Sequence, residues 1–452
     1  MIKKYLFTSI SYLLGASFFA ISSFAHDLET TLQQTLKTSD VIGSARSNWV
    51  AAREIIGTKN TTKEWSANGN ITGKHSETET STSSGFSGSN TGTLSVTLSK
   101  NIYDGGKAKE NTAAERINLK IESANYKKTE QEVLLSAIKG HLAVIKAQKE
   151  LILTQNNFER MMAHVEATKI RASAGAATPT RLAEAESRAA KARSSLLLAK
   201  NALENASDEY MSLTGLEPSH LETPEFDYPL PASVGKAEDI GREEHPEMLA
   251  ARAKEELAAK SFDTLIASVR PSLSFDLSAS DTFANGTSND KTVFSAQLKF
   301  STPLVVTPAT RAKSRNLSAK LNSSKLDSRE TARNVKLSIR KSFRSLETAK
   351  ENIRAVEAEV TASQMVTKGV NNEYEFGQKT ILDLQDAEQD LNDAELRFVL
   401  AQHDLLVSSY EFQASIGRLT SDNLGLGDVL GRIENTPEPG SFFKGAFAFS
   451  GD

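Results

Sequence analysis

The chain contains no cysteine, which removes disulfides and thiolate metal sites from consideration. Aromatics are scarce at 7%, with 2 Trp, and the hydrophobic fraction is 39% of 452 residues. That is little core material for a globular enzyme of this length and suits long, largely solvated helices. Neither sign of charge dominates. The formal net charge is -4 and the pI is near 6.1, so the composition carries no footprint for nucleic acid. Past the N-terminus no apolar run is long enough for a transmembrane helix, so any contact with a membrane falls to strands. Catalytic signatures are missing too. There is no HExxH, Walker loop or GxSxG, and His141, His164 and His403 stand singly as packed or solvated helix residues. Gly105-Gly106 lacks the surroundings of a phosphate loop. The chain reads as a non-enzyme, with no cofactor or metal expected.

The scarcity of proline shows where the helices are. Residues 106–175 hold no Pro and only Gly140 as an internal Gly, and 309–376 hold no Pro and only Gly369. Both are rich in Ala, Leu, Lys, Glu and Gln, the strong helix formers. Each predicts one continuous helix on the order of 100 Å long at 1.5 Å per residue. A helix of that length demands a coiled-coil or tubular setting.

Two stretches repeat each other at a spacing of 202 residues, without a gap. Gly175 matches Gly377, Thr178 matches Thr380, and Leu182 matches Leu384. Ala185 matches Ala387, Leu203 matches Leu405, and Gly215 matches Gly417. The chain is therefore read as two copies of one unit. Each copy has a shorter helix, a strand pair, a long helix, a turn and a returning helix. The shorter helices are expected at about residues 28–58 and 246–268. The turns fall at Gly175 and Gly377.

The strands alternate with a period of two. Leu94, Val96, Leu98 and Ile102 interleave with Ser and Thr, and Phe294, Ala296, Leu298 and Phe300 interleave with Ser295, Gln297 and Lys299. The incoming strand of the second copy sets Leu273, Phe275, Leu277 and Ala279 against Ser274, Asp276 and Ser278; residues 65–72 show the pattern more weakly. Ser/Thr/Gly-rich residues 76–90 and polar residues 285–290 are expected as tips. A four-stranded sheet with one apolar and one polar face has open edges. Closing several chains into a barrel, apolar face to lipid and polar face to water, removes them.

The boundaries follow. Met1-Ile-Lys3-Lys4, the apolar stretch to Phe24 and the small-x-small Ser23-Phe24-Ala25 mark residues 1–25 as a secretory signal peptide. Residues 26–215 form the first repeat, with its hairpin at about 64–103. Residues 216–245, with Pro218, Pro224, Pro229 and Pro231, are expected as an irregular connector. Residues 246–417 form the second repeat, with its hairpin at about 271–303. Residues 418–452 are a C-terminal extension, expected to be partly disordered.

Residues Tyr374 to Ala387, followed by Leu391 and Ala394, resemble the signature of TolC-type outer-membrane efflux and secretion channels. So do Asn101-Ile-Tyr-Asp104-Gly105-Gly106 and the late Ser415-Ile-Gly417. The resemblance runs from about residue 27 to 425. It implies a mainly α protein with a β-barrel portion, assembled as a homotrimer. Twelve strands form the outer-membrane barrel, which a periplasmic α-helical barrel continues. It implies a passive exit duct across outer membrane and periplasm, for type I protein secretion or multidrug efflux. A periplasmic adaptor (membrane fusion protein) and an inner-membrane ABC or proton-driven transporter would be its partners. General resemblance leans towards type I secretion. The competing reading is a periplasmic coiled-coil adaptor or structural stalk without a pore.

Asp383 and Asp386 share a helix face just past the second turn. Repeated around an assembly they would give stacked carboxylate rings, which select and bind cations. The resemblance also implies a gate at these turns. Tyr374, Lys379 and Thr180 match latch positions, with Lys379 where Arg is usual, which forfeits the bidentate fork. Arg181 stands where the family's acceptor Asp is expected. Glu184 could substitute for that acceptor, Arg181 could pair with Asp383 or Asp386 across an interface, or Arg181 could simply be solvated.

Overall fold

The computed structural model describes residues 27–60, 64–79, 86–219, 221–226, 228–285 and 290–427. The expected signal peptide lies outside the described residues. Twelve elements follow in chain order. They are α1 (Leu28–Thr38), α2 (Asp40–Asn60), β1 (Ser66–Glu79), β2 (Phe86–Tyr103), α3 (Lys107–Ser173) and α4 (Pro179–Thr214). Then come α5 (Val234–Glu244), α6 (Pro246–Ser268), β3 (Ser272–Asn285), β4 (Lys291–Ser301), α7 (Pro308–Glu375) and α8 (Ile381–Ser415).

The long helices α3 and α7 contain 67 and 68 residues. Their starts are fixed locally. The Asp104 carboxylate accepts from the backbone N–H groups of Gly106 (3.0 Å) and Ala108 (2.7 Å). Thr307 accepts from the N–H of Thr310, with Pro308 at the first helical position. Around each long helix the wall is built from shorter pieces. Near the strands, α3 packs on α2 and α6, and α7 packs on α6; towards the turns, α3 packs on α4 and α8, and α7 on α8. One face of α7 and the outer faces of α2 and α4 are left as edges.

The first short helix departs from expectation. The chain leaves the helix at Ser39, whose ψ of 115° is extended, and so divides into α1 and α2. The connector also carries structure. α5 occupies its last third, capped by Ser233 and pressed onto α7, where Gly241 leaves no room for a Cβ beside Ile339. The tip run of residues 76–90 is partly strand, since β1 reaches Glu79 and β2 starts at Phe86; residues 80–85 and 286–289 lie outside the described residues. The C-terminal extension is folded at its start. Leu419, Leu424 and Leu426 are buried with Leu32 and Leu36 of α1, Leu134 and Ile138 of α3, and Tyr410 of α8. Residues 428–452 lie outside the described residues.

The four strands form one antiparallel sheet in the order β1-β2-β3-β4, so the two repeats meet at β2 and β3. Cross-strand partners share a face. One set of rows reads Ala67, Leu98, Leu277, Ala296 and then Gly69, Val96, Ala279, Phe294. The other reads Ser66, Ser99, Asp276, Gln297 and then Asn68, Thr97, Ser278, Ser295. In the central strand β2 the apolar face is the more exposed one. In β2, Leu94, Val96 and Leu98 are 45%, 47% and 38% exposed, while Ser95, Thr97 and Ser99 are partly covered. A soluble sheet buries its apolar face; no helix among the described residues packs over this one. At the helix end of that face Trp65 meets Phe275 edge-on (6.2 Å between centroids), with the Lys100 ammonium 5.4 Å from the Trp65 ring. Trp with Lys at the rim of an apolar band is the pattern of a lipid-water interface.

Two left-handed glycines, one buried and one exposed, carry a testable contrast. Gly417 has φ 88°, and a Cβ there would lie 2.7 Å from the Cα of His245. Gly377 has φ 75° with open space around it. Gly377→Ala is expected to cost only the left-handed penalty of about 1–2 kcal/mol. Gly417→Ala adds displacement of the α5–α6 backbone and is expected to cost clearly more. Thermal unfolding of both variants measures the difference; equal midpoints would contradict the close approach.

Candidate functional site

The two turns at the far ends of α3 and α7 are built alike. In the first, the N–H of Ala176 bonds the carbonyl of Arg171 (2.7 Å) and that of Gly175 bonds Ala172 (3.0 Å). In the second, Gln378 bonds Glu373 (2.8 Å) and Gly377 bonds Tyr374 (2.9 Å). This pair of bonds is the Schellman stop, which places a left-handed residue where Gly175 (φ 73°) and Gly377 (φ 75°) stand. Three residues on, Thr178 and Thr380 start the returning helices, each hydroxyl accepting from the N–H three residues later. The repeat spacing of 202 residues thus duplicates a whole turn.

Asp383 has a local task. Its carboxylate accepts from the backbone N–H and the hydroxyl of Thr380, both at 2.8 Å, completing a capping box. Those two bonds, helped by the charge of Lys379, hold its carboxyl below the ordinary carboxylate range. The group therefore stays ionised as pH falls through that range.

Asp386 lies one turn further on and is bonded to the guanidinium of Arg188 on α4 (2.8 Å). Glu184 approaches the same guanidinium at 3.9 Å. Glu184 and Asp386 are repeat equivalents, so Arg188 sits between two matching carboxylates. Tyr374 accepts a 2.5 Å bond from Arg171 on α3, whose guanidinium also lies 5.7 Å from its ring centroid. Deeper in the seam between α3 and α8, His164 meets Glu388 at 2.7 Å.

The remaining expected latch residues are not brought together within one chain. Arg181 is exposed, its backbone N–H bonds Thr178, and its side chain forms no ion pair within 4 Å among the described residues. Thr180 is exposed, and Lys379 forms no ion pair within 4 Å among the described residues. Arg188, Arg171 and His164 are the contacts that sequence reading did not single out. Arg188 was within reach: it follows Arg181 by seven residues, two turns along the same helix face. Arg171 offered no such cue, because no candidate ring or latch residue read from the sequence lies on its helix.

No helix among the described residues is long and apolar enough to cross a membrane. His141 is fully buried rather than poised as a ligand, bonded to the Thr31 hydroxyl (3.2 Å) and the Glu222 carbonyl (3.1 Å).

The family model described as "Outer membrane efflux protein" matches residues 31–216 and 241–418. The chain is 27% identical over 338 residues to outer membrane efflux protein BepC of Brucella suis, covering 74% of each. It is 23% identical over 372 residues to outer membrane protein TolC of Escherichia coli, covering 77% of this chain and 74% of that one. The Campylobacter jejuni CmeC outer membrane channel superposes with a TM-score of 0.75 at 15% identity, covering 89% and 90% of the chains. The open state of the Neisseria gonorrhoeae MtrE outer membrane channel gives 0.71 at 17%, covering 88% and 90%. With an exposed apolar sheet face, a polar reverse face and two duplicated helical hairpins, the chain belongs to the outer membrane efflux protein family, and is an outer-membrane channel rather than an enzyme.

Proposed function

We propose that the chain assembles as a homotrimer into a passive exit duct for type I protein secretion and/or multidrug efflux. A periplasmic adaptor docks it, and an inner-membrane ABC or proton-driven transporter supplies the energy. The observation that carries the pore is the sheet, one face of which is apolar and uncovered by the other described elements, and the other of which is largely Ser, Thr, Asn, Asp and Gln. The free edges of β1 and β4 are what further copies close. Purified protein in planar bilayers is expected to give discrete cation-selective conductance steps. Absence of conductance from correctly assembled protein would overturn the reading. In the native host, deletion is expected to abolish release of a secreted protein, to sensitise cells to toxic small molecules, or both. If deletion does neither, the exit-duct role fails.

The turns are the gate in this reading. Asp383 and Asp386 form the cation-binding constriction. Arg188 partly neutralises Asp386, and the Arg171–Tyr374 bond helps hold α3 against α7. Arg181, Glu184, Thr180 and Lys379 complete the latch between copies. An exposed ion pair contributes about 0–1 kcal/mol, so each contact is weak and the set acts by repetition. Arg188→Ala is expected to raise conductance and cation selectivity together, and by more than Arg181→Ala, because Arg188 already holds the carboxylate. Equal or absent effects in single-channel recordings would show that Arg188 is not part of the constriction.

A further inference from the structure

The repeat lets one seam of the molecule be read onto another. On the turn side the helices of one chain stand in the order α4, α3, α8, α7. There α3 has two neighbours, its hairpin partner α4 and the α8 of the other repeat, while α7 has its hairpin partner α8 on one side and an open edge on the other. Residues of α7 and α8 have counterparts 202 positions earlier in α3 and α4. The side chains that line the α3–α8 seam therefore have counterparts on α7 and α4, at the two edges of the chain.

Those counterparts are bare. Val399 of α8 is 8% exposed, and its counterpart Leu197 of α4 is 59% exposed. Each has its own hairpin partner beside it, so the difference lies in the second neighbour, which Leu197 lacks. His164 of α3 is largely covered in the seam, and its counterpart Val366 of α7 is exposed. The polar rungs map in the same way. Lys139 meets Glu411 across the seam at 2.6 Å, and the counterparts are Lys341 and Glu209, the same pair again. Lys149 donates to the Gln402 side chain at 3.3 Å, and the counterparts are Glu351 and Lys200, once more complementary but with the cation on the other helix. All four counterparts are exposed. Lys341, Glu209 and Lys200 form no ion pair within 4 Å among the described residues, and Glu351 meets Arg354, three residues along α7. A solvated edge has no reason to match its charge, rung by rung, to the opposite edge of the same chain. An edge closed by the next copy does.

We propose that α7 of one copy packs against α4 of the next in the register of the α3–α8 seam, pairing Lys341 with Glu209 and Glu351 with Lys200 across the junction and covering Leu197 and Val366. This rests on the homotrimer reading above and adds the register and the pairs that it leaves open. The contact is heterologous, one edge against the opposite edge, so it is fully satisfied only when the ring closes. Each exposed pair is weak, but the pairs recur at every junction and act together.

The test follows dissociation of the full-length assembly in detergent by native mass measurement. Lys341→Glu or Glu209→Lys alone sets like charges against each other at one rung and is expected to speed dissociation about tenfold or more. The double variant restores the pair with its sense reversed and is expected to return to within about twofold of the parent rate. Glu351→Lys and Lys200→Glu are expected to behave likewise, singly and together. A defect confined to one helix would not be rescued by a change on the other, so absence of rescue at either rung would overturn the proposal. The absence of native cysteine allows a second measurement. Two differently tagged chains are assembled together, one carrying Lys341→Cys and the other Glu209→Cys, and treated with a short bis-maleimide. A covalent link between the two tags is expected. If position 341 links instead to Ala202→Cys, two turns along α4, the register is wrong and the proposal fails. A parent chain that stays monomeric would overturn the homotrimer reading and this proposal together, whereas a trimer without rescue or linkage would overturn the seam alone.

Discussion

Val96→Arg is expected to cost about 2–4 kcal/mol of barrel stability, whereas Thr97→Arg, one residue on, is expected to cost much less. The two positions are neighbours in sequence and have almost the same backbone partners. Val96 opposes Gly69 and Ala279, and Thr97 opposes Asn68 and Ser278. They differ in the medium they meet. Val96 lies mid-strand on the face with Leu94, Leu98 and Phe294, which is left uncovered by protein. Arg there must enter hydrocarbon or drag water after it. Thr97 lies among hydroxyl and amide groups, where a guanidinium remains hydrated. Leu298→Arg and Ser295→Arg repeat the contrast in the second hairpin. Urea titration of the membrane-inserted assembly reads the difference. The absence of native cysteine also allows single-Cys labelling with a membrane-impermeant reagent, which is expected to modify positions 95, 97, 295 and 297 and to spare 94, 96, 98, 294 and 298. Equal costs and equal labelling would eliminate the barrel.

Asp383→Asn with Asp386→Asn is expected to abolish high-affinity block by trivalent cations from the turn side and to reduce cation selectivity severalfold. Asn is the informative replacement because Asp383 has two tasks. It caps α8 through Thr380, and an amide oxygen still accepts the bonds from the Thr380 N–H and hydroxyl while the charge is removed. Ala would remove both and confuse a lost ring with a frayed helix start. The pH dependence has a definite sign. Because the Thr380 bonds and Lys379 hold the Asp383 carboxyl below its ordinary range, it keeps its charge as pH falls through that range. Block by trivalent cations is expected to persist into acid beyond the point at which an ordinary carboxylate is protonated. It should vanish at still lower pH. Full block in the double variant would remove these residues from the constriction.

Much of the architecture is legible because the chain repeats itself and punctuates sparingly. A proline-free run with one internal glycine has few options besides helix, and α3 and α7 end within a residue or two of the glycines that marked them. The strands were legible where polar and apolar residues alternate strictly. β1 was weaker because Gly69 and Gly73 interrupt its apolar face. α5 was hidden by composition: the prolines before it describe a connector, but Ser233 supplies a cap and Ala237 and Gly241 give it a face small enough to press on Val335 and Ile339. The residues after Gly417 were hidden for a related reason. Leu419, Leu424 and Leu426 have no periodicity of their own and find their places only on a surface that α1, α3 and α8 build. At the turns, the carboxylates were visible from spacing. Arg188 could be reached from Arg181 along one face of α4, but which carboxylate it meets, and that Arg171 meets Tyr374, depends on which helices of the two repeats stand side by side, which no local pattern encodes.

The abutment of Gly417 against His245 has a mechanical meaning. Along each half of the wall one helix, α3 or α7, runs unbroken for its full length, while the helix beside α7 is in two pieces, α8 and α6, that meet at this contact. An intact rod therefore stands beside a jointed one. If a partner pushes the turn of α7 and α8 sideways, the load need not break any helix, a step that would sacrifice several backbone hydrogen bonds together. It can be taken up as a small angular change at the joint, with α7 as the lever arm and the salt bridge from Arg418 to Glu244 as a strap across the hinge. The distance from turn to joint, nearly half of a roughly 100 Å strut, converts a few degrees there into several ångströms of travel at the entrance.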